Sequence, residues 1–302
     1  MHCFNLYYYS AILMKLLKYV CVFTIVLSFS LSANEKLTND DDIIFWQTYH
    51  RPPDFFLTGP NEGTGFIQQV LKHIIEKLPE YDHEMKLTTL ARAIRDIKFE
   101  KTSCHPALVK SAEREEFMYF SKAAIFKPTN RIIAKKDFFD DYLRDGGIDL
   151  REITEHKNFT FALIKGRSFT PDIDGVLAQY LNKENRFIIS NTDLSPTFEM
   201  IELGRVDATI AYPFEFNYYT QHHQLSKQRL ETYPILGSPL FSIGYVACPK
   251  NEWGKKVITK INAALEELKP TKAFRDAFHS GWQSDRDNPS FEAFYQNEFL
   301  TR

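Results

Sequence analysis

Arg114 lies in the stretch Lys110–Ser121, K-S-A-E-R-E-E-F-M-Y-F-S, just after the apolar Ala107 to Val109. A guanidinium presents a planar fork of N–H donors that a carboxylate can meet with two parallel hydrogen bonds. An arginine where an apolar run gives way to a polar connection can therefore hold an anion. The alternative is a surface arginine on a solvated helix, among Glu113, Glu115 and Glu116. The cysteines offer a second chemistry. Cys3 and Cys21 lie close to the N-terminus, leaving Cys104 and Cys248 as a pair. An even pair in an oxidising compartment favours a disulfide, and two buried free thiols are the alternative. Neither belongs to a C-x-x-C pair. His222-His223 are adjacent, not spaced to put two imidazoles on one helix face, and read as surface residues. No metal site and no cofactor is expected.

The compartment is read from the first residues. Residues 1–33 contain no acidic side chain, and Lys15 and Lys18 precede an apolar run from Tyr19 to Phe29. Small residues follow at Ser30, Ser32 and Ala33, then the polar Asn34-Glu35-Lys36. These are the three regions of a cleaved secretory signal peptide. Met1 to Leu13 are aromatic and uncharged, so Met14 is an alternative start. A run of roughly 11 apolar residues falls short of the ~20 needed to span a bilayer. Cys21 lacks the small neighbours of a lipoprotein site. An exported, periplasmic protein is expected.

Cleavage after residue 33 removes two of the 37 basic residues and none of the 39 acidic ones, leaving a net charge of −4. That balance argues against a nucleic-acid partner. About 270 residues suffice for one large or two medium lobes. Aromatic residues make up 15% of the chain, which suggests an aromatic-lined cleft.

Strands and helices alternate along the chain, the pattern of an α/β fold. Ile43–Gln47 reads as a first strand, broken by His50-Arg51-Pro52-Pro53. The turn Gly59–Gly65 opens a helix in which Phe66, Val70, Ile74 and Leu78 recur every four residues, with Ile67, Leu71 and Ile75 widening the apolar stripe. Pro79 stops it. A short helix over Leu90–Ile97 and a strand over Cys104–Val109 follow. Next come a strand over Phe159–Ile164, a helix from Pro171 to Leu181 and a strand over Arg186–Ile189. Ser195-Pro196 reads as the cap and first position of another helix, ended by Gly204 before a strand over Ala208–Tyr212. Leu240–Cys248 is a long strand, Trp253–Leu268 an amphipathic helix, and the remainder helical with aromatic anchors at Phe274, Phe278, Trp282, Phe291 and Phe294.

Four stretches, in order, resemble the extracellular solute-binding proteins of family 3, the two-lobed binders of polar amino acids. Pro52-Pro53-Asp54-Phe55 with Gly65-Phe66 is similar to that family's P-P-F and glycine elements. Lys110–Ser121 resembles its T-x-x-E-R, F-S-x-P passage, and Gly204–Tyr212, G-R-V-D-A-T-I-A-Y, its G-R-x-D-A element. Gly244-Tyr245-Val246-Ala247 resembles its returning strand, and the paired C-H-P-A-L-V-K and A-C-P-K look like a subgroup with a cysteine pair. The resemblance implies a periplasmic-binding-protein-like II fold: two α/β lobes joined by two crossovers around a cleft. Lobe one would comprise residues 34–124 and 240–302, and lobe two residues 125–239. The returning strand would lie near the Cys104 strand, so a Cys104–Cys248 disulfide would staple distant parts of one lobe.

In such folds ligands sit at the carboxyl ends of strands and at helix N-termini. That nominates Tyr49, Phe55 and Arg114 from lobe one, and Arg167 and Ser168 in the Gly166-Arg167-Ser168 turn, Tyr212 and Glu215 from lobe two. The resemblance implies that Arg114 clamps a ligand carboxylate. The chain departs from the family where an aspartate usually holds the ligand's ammonium: Tyr212 stands there, with Glu215 a helical turn on. Ser111-Ala112 also replaces the usual Thr-x. The expected function is capture of a small polar, carboxylate-bearing, amino-acid-like solute by a monomer, for an ABC-type membrane permease. Two alternatives stand beside it. One is a ligand-sensing or accessory module docking a membrane receptor. The other is a dehydratase-like enzyme using Glu215, Glu62 or His105 as acid or base.

Overall fold

The computed structural model describes residues 40–100, 102–155, 159–180, 187–190, 194–222, 229–279 and 289–302. The expected signal segment 1–33, with Cys3 and Cys21, lies outside the described residues, as do His223 and Trp282. Twelve strands are named in chain order: β1 Ile43–Thr48, β2 Asp82–Leu87, β3 Ser103–Leu108, β4 Met118–Pro128, β5 Arg131–Lys135, β6 Leu143–Arg144, β7 Gly147–Ile148, β8 Phe161–Ile164, β9 Phe187–Ser190, β10 Ala208–Ala211, β11 Leu230–Tyr233 and β12 Phe241–Pro249. They form two five-stranded sheets and a small hairpin, β6-β7.

The first sheet has the order β2-β1-β3-β12-β4. Strand β1 runs parallel to β2 and β3, and β12 runs antiparallel to β3 and β4. Helix α1 (Phe66–Glu76) buries Phe66, Ile67, Val70, Leu71 and Ile74, the stripe seen in the sequence. Helix α2 (Leu90–Phe99) starts at Thr89, whose hydroxyl accepts the Arg92 N–H, an N-cap that satisfies one of the helix's open donors. A single turn, α3 (Ala112–Glu115), follows β3 and carries Arg114.

The second sheet has the order β11-β5-β10-β8-β9, with β8 parallel to β9 and β10, and β5 antiparallel to β10 and β11. Helices α4 (Leu150–Glu155), α5 (Pro171–Tyr180), α6 (Leu194–Glu202) and α7 (Pro213–His222) belong to this half. Helix α6 begins at Leu194, so Pro196 sits in its first turn and not at its first position; the missing proline N–H is one the helix would leave unbonded there anyway. It ends in a paired motif: the Gly204 N–H donates to Ile201 O at 3.0 Å and the Arg205 N–H to Met200 O at 2.9 Å, with Gly204 at φ +69°. That left-handed backbone suits glycine.

Helices α8 (Glu252–Leu268), α9 (Lys272–His279) and α10 (Pro289–Asn297) return to the first sheet. The two lobes are joined by two crossovers, one between β4 and β5 and one between β11 and β12. These crossovers touch: the Thr129 N–H donates to Leu240 O at 3.0 Å. Cys104 on β3 and Cys248 on β12 are disulfide-bonded, so the pair staples segments 144 residues apart within the first sheet.

The aromatic residues have largely gone elsewhere than the cleft. The rings of Phe241, Phe278, Phe291, Phe294 and Phe299 all centre within 5.2 Å of the Phe126 ring. Lobe one spends them on a core where the C-terminal helices dock on β4. Among the described residues no helix is long and apolar enough to cross a membrane.

Candidate functional site

Parallel strands of both lobes end at one crevice. Strand β1 leads into Tyr49 and Arg51, β2 into the first turn of α2, β8 into Lys165–Arg167 and β10 into Tyr212 and Glu215. A cavity of about 240 Å³ lies there, lined from lobe one by Tyr49, Arg51 and Leu90 and from lobe two by Ile164, Lys165, Arg167 and Leu194, among others. A second cavity, about 720 Å³, is lined by Arg114, Ser168, Phe169 and Asp174. Ala91, Ile164, Lys165 and Arg167 line both.

The turn around Gly166 borders both, through Lys165 and Arg167. Gly166 has φ +80° and packs on the start of α2: a Cβ there would stand 3.3 Å from Ala91 Cα. Both the left-handed backbone and the close approach call for glycine. Arg114 fastens this turn to lobe one. Its Nη1 donates to Val109 O at 2.6 Å and its Nη2 to Gly166 O at 2.8 Å. The Arg114 fork is thus engaged by two main-chain carbonyls, one from each lobe. Burial holds its pKa below the ordinary arginine value, with Asp174 opposing. Asp174 in turn accepts from Ser168 Oγ and from the Phe169 N–H at 2.9 Å.

Behind the smaller cavity lies a buried charge network. Arg51 pairs with Asp54, and Lys127 Nζ lies 3.5 Å from Asp54 Oδ2. Arg167 Nη2 donates to Glu215 Oε2 at 2.7 Å and reaches Asn130 Oδ1 at 3.3 Å. Arg51 Nε is 3.8 Å from Glu215 Oε1, an ion pair between lobes. Glu215 also accepts the Tyr212 N–H at 2.9 Å, the contact by which a glutamate at the third helical position closes a capping box. Four side chains, Arg51, Lys127, Arg167 and Arg114, bring positive charge to this crevice under near-complete burial. Asp54 and Glu215 are the fully buried carboxylates that answer them.

The electrostatics follow from that crowding. Burial alone would raise the Glu215 pKa, but Arg167 and Arg51 hold it below the ordinary carboxylate value. Burial would lower the Arg51 and Arg167 pKa values; Asp54 reverses this for Arg51 and Glu215 for Arg167. His105, on β3 beside the disulfide, is kept neutral, its pKa pushed well down by burial and by Arg51, Arg114 and Lys127. Its Nδ1 accepts the Ala107 N–H at 3.0 Å, which places the remaining ring proton on Nε2. Arg51 Nε, Asp54 Oδ1, His105 Nε2, Asn130 Nδ2 and Glu215 Oε1 make no hydrogen bond among the described residues.

The residues nominated from sequence are therefore distributed. Tyr49 and Arg167 line the smaller cavity; Arg114, Arg167 and Ser168 line the larger one. Glu215 and Tyr212 are buried beside Arg167, where the Tyr212 ring stacks on Phe214 and its hydroxyl lies 3.3 Å from Ser242 Oγ. Phe55 is wholly buried in the lobe-one core. Sequence reasoning passed over Arg51, Lys127 and Asn130. Arg51 had a legible signal, since it follows β1 by three residues and sits beside Tyr49; Lys127 and Asn130 had none, because β4 and β5 were not recognised.

No protein-family model matches the chain. Over 177 residues it is 26% identical to the L-cystine-binding protein TcyJ of Bacillus subtilis (strain 168), a match covering 56% of this chain and 59% of that protein. The chain thus spans about three-fifths of the length of the curated relative it matches. The arginine-binding protein ArgBP of T. maritima, in a P235GK mutant form, superposes with a TM-score of 0.61 at 17% identity, covering 80% of this chain and 96% of that one. A histidine kinase sensor domain with similarity to periplasmic binding proteins gives 0.63 at 13% identity, covering 79% and 95%. The fold is the periplasmic-binding-protein-like one. Two α/β lobes joined by two crossovers enclose a central cleft.

Proposed function

We propose that this chain is a solute-binding protein of the family 3 type, exported through its N-terminal signal segment and acting as a binder and not as an enzyme. It captures a small carboxylate-bearing, amino-acid-like solute between its lobes and delivers it to an ABC-type membrane permease. The single observation that carries this reading is the smaller cavity: it lies at the carboxyl ends of β1, β2 and β8 and draws Arg51 from one lobe and Lys165 and Arg167 from the other. A carboxylate there would meet cations from both lobes, and only the closed form brings them together. That is the differential contact that drives hinge closure. Arg51 and Arg167 are the proposed carboxylate anchors, with Tyr49 beside them. Arg114 acts by holding the Gly166 turn against lobe one, and the Glu215 carboxylate by keeping Arg167 in place.

A thermal-shift screen against amino acids, small organic acids, peptides and sugars tests this. A solute at 100 times its dissociation constant stabilises the folded chain by about 2.7 kcal/mol. Carboxylates are expected among the hits, with Arg51→Met weakening them at least tenfold. Hits confined to uncharged sugars, or hits indifferent to Arg51→Met, overturn the assignment.

A further inference from the structure

We infer that the solute of the smaller cavity is a monocarboxylate with a hydrocarbon body and no ammonium group; this rests on the solute-binding reading above. The cavity wall combines cations with hydrocarbon. Arg51, Lys165 and Arg167 supply the charge, while Leu87, Leu90 and Ile164 supply apolar surface. Among the described residues that line it there is no carboxylate.

The two buried carboxylates nearby are already engaged. Asp54 pairs with Arg51 and Lys127, and Glu215 takes Arg167 and the Tyr212 N–H on one oxygen. Their remaining oxygens make no hydrogen bond, yet Glu215 Oε1 faces Arg51 Nε at 3.8 Å. An ammonium drawn to it would lie against the guanidiniums that hold the carboxylate end. Nor is the Tyr212 ring free to receive a cation: Lys127 Nζ lies 4.0 Å from its centroid and Arg167 Cζ 5.1 Å. A zwitterion brings no net charge to a crevice where buried cations outnumber buried carboxylates, whereas a monoanion neutralises one of them. The volume, about 240 Å³, equals that of about eight waters at ~30 Å³ each, which suits a small monocarboxylate.

Matched pairs separate the classes. The purified chain is titrated calorimetrically with 4-methyl-2-oxopentanoate against leucine, and with 3-phenylpropanoate against phenylalanine. The ammonium-free member of each pair is expected to bind at least tenfold more tightly. Lys165→Glu changes an exposed residue of the wall and is expected to shrink that preference at least fivefold or reverse it. Asp193 precedes Leu194 and lies outside the described residues; Asp193→Asn is expected to leave the preference unchanged. An amino acid binding as tightly as its partner, or a preference that emerges only in Asp193→Asn, overturns the inference and leaves solute binding standing. If none of the four binds to a chain shown folded by its unfolding transition, the inference and the carboxylate reading fall together.

Discussion

Replacing Glu215 by glutamine should move stability and anion affinity in opposite directions. The substitution keeps the shape and an acceptor for the Tyr212 N–H, but it removes the one negative charge shared by Arg167 at 2.7 Å and Arg51 at 3.8 Å. Stripping one partner from a buried ion pair costs about 3–5 kcal/mol, because the other charge is left uncompensated. For a chain of this size that corresponds to a fall in melting temperature of roughly 6–20 °C. Affinity should respond the other way. A solute carboxylate held by Arg167 from the cavity side would lie roughly 7 Å from the Glu215 carboxylate, a repulsion of about 2 kcal/mol at an effective dielectric of ~20. Relieving it predicts roughly thirtyfold tighter binding of a carboxylate. Chemical denaturation and calorimetric titration of Glu215→Gln read the two effects separately. The sign of the pH dependence is fixed as well. The folded Glu215 pKa lies below its ordinary 4.5, so its contribution is present above that value and is lost as the pH falls through the folded pKa. The stability gap between the native chain and Glu215→Gln should therefore close in acid. A loss under about 1 kcal/mol would show that Glu215 is not the counter-ion of the buried arginines. Weaker binding in Glu215→Gln would refute the repulsion argument and show that holding Arg167 in place outweighs it.

Three further outcomes test the frame around the site. Reducing the Cys104–Cys248 bond, which joins residues 144 apart, should cost about 5 kcal/mol in the chain-entropy model; denaturation with and without reductant measures it, and a change under about 1 kcal/mol refutes the staple. Gly254→Ala should destabilise the start of α8, because a Cβ there would lie 1.9 Å from Pro249 O; a melting temperature unchanged from the native chain would show that this junction can yield. Lys269, buried where its Nζ donates to Phe299 O at 3.2 Å, has its pKa pushed down to about 8 from 10.5, first by burial and then by Lys122. Between those values the unfolded chain holds a proton that the folded chain does not, so stability rises with pH. The stability of the native chain relative to Lys269→Met should rise across that window, and a flat difference would refute it.

The frame was legible where periodicity was strong. The four-residue repeat of Phe66, Val70 and Ile74 and the β-branched run at Ile43 became α1 and β1 because each buries one coherent face. The disulfide could be read as well, since two cysteines outside the expected signal have only each other. What escaped notice lacked that signal. Strand β2, D-H-E-M-K-L, is a polar sheet edge with little buried surface, held by its pairing with β1 and not by its composition. Strands β4 and β5 form one near-continuous apolar passage through a crossover, which reads as neither a helix nor a simple strand. The site was half visible for the same reason. Arg167 and Tyr49 stand beside punctuated turns, so sequence could place them at strand ends. Arg114 was legible as a candidate anion clamp, with a surface arginine as the alternative; neither its burial nor its engagement with the Gly166 carbonyl was, because both depend on how the lobes meet. Lys127 stands at the end of an apolar strand, and only the tertiary fold reveals Asp54 beside it.

Charge and closure pose a single problem in this cleft. Bringing the lobes together buries Arg51 against Glu215 of the other lobe and Arg114 against the Gly166 carbonyl, while the side chains of Lys127 and Arg167 are nearly buried. A carbonyl offers Arg114 hydrogen bonds but no charge; its countercharge is the part-buried Asp174, and with Asp54 and Glu215 that still leaves four cations facing three carboxylates. Buried charge left unmatched costs several kcal/mol per ion. Opening the cleft would return some of these cations to water, so a bound carboxylate stabilises the closed form more than the open one. That difference is what a ligand needs to shift a two-state equilibrium. A neutral solute of equal size could fill the same cavity and make the same apolar contacts, yet it would leave the cation excess in place and exert far less pull on the hinge.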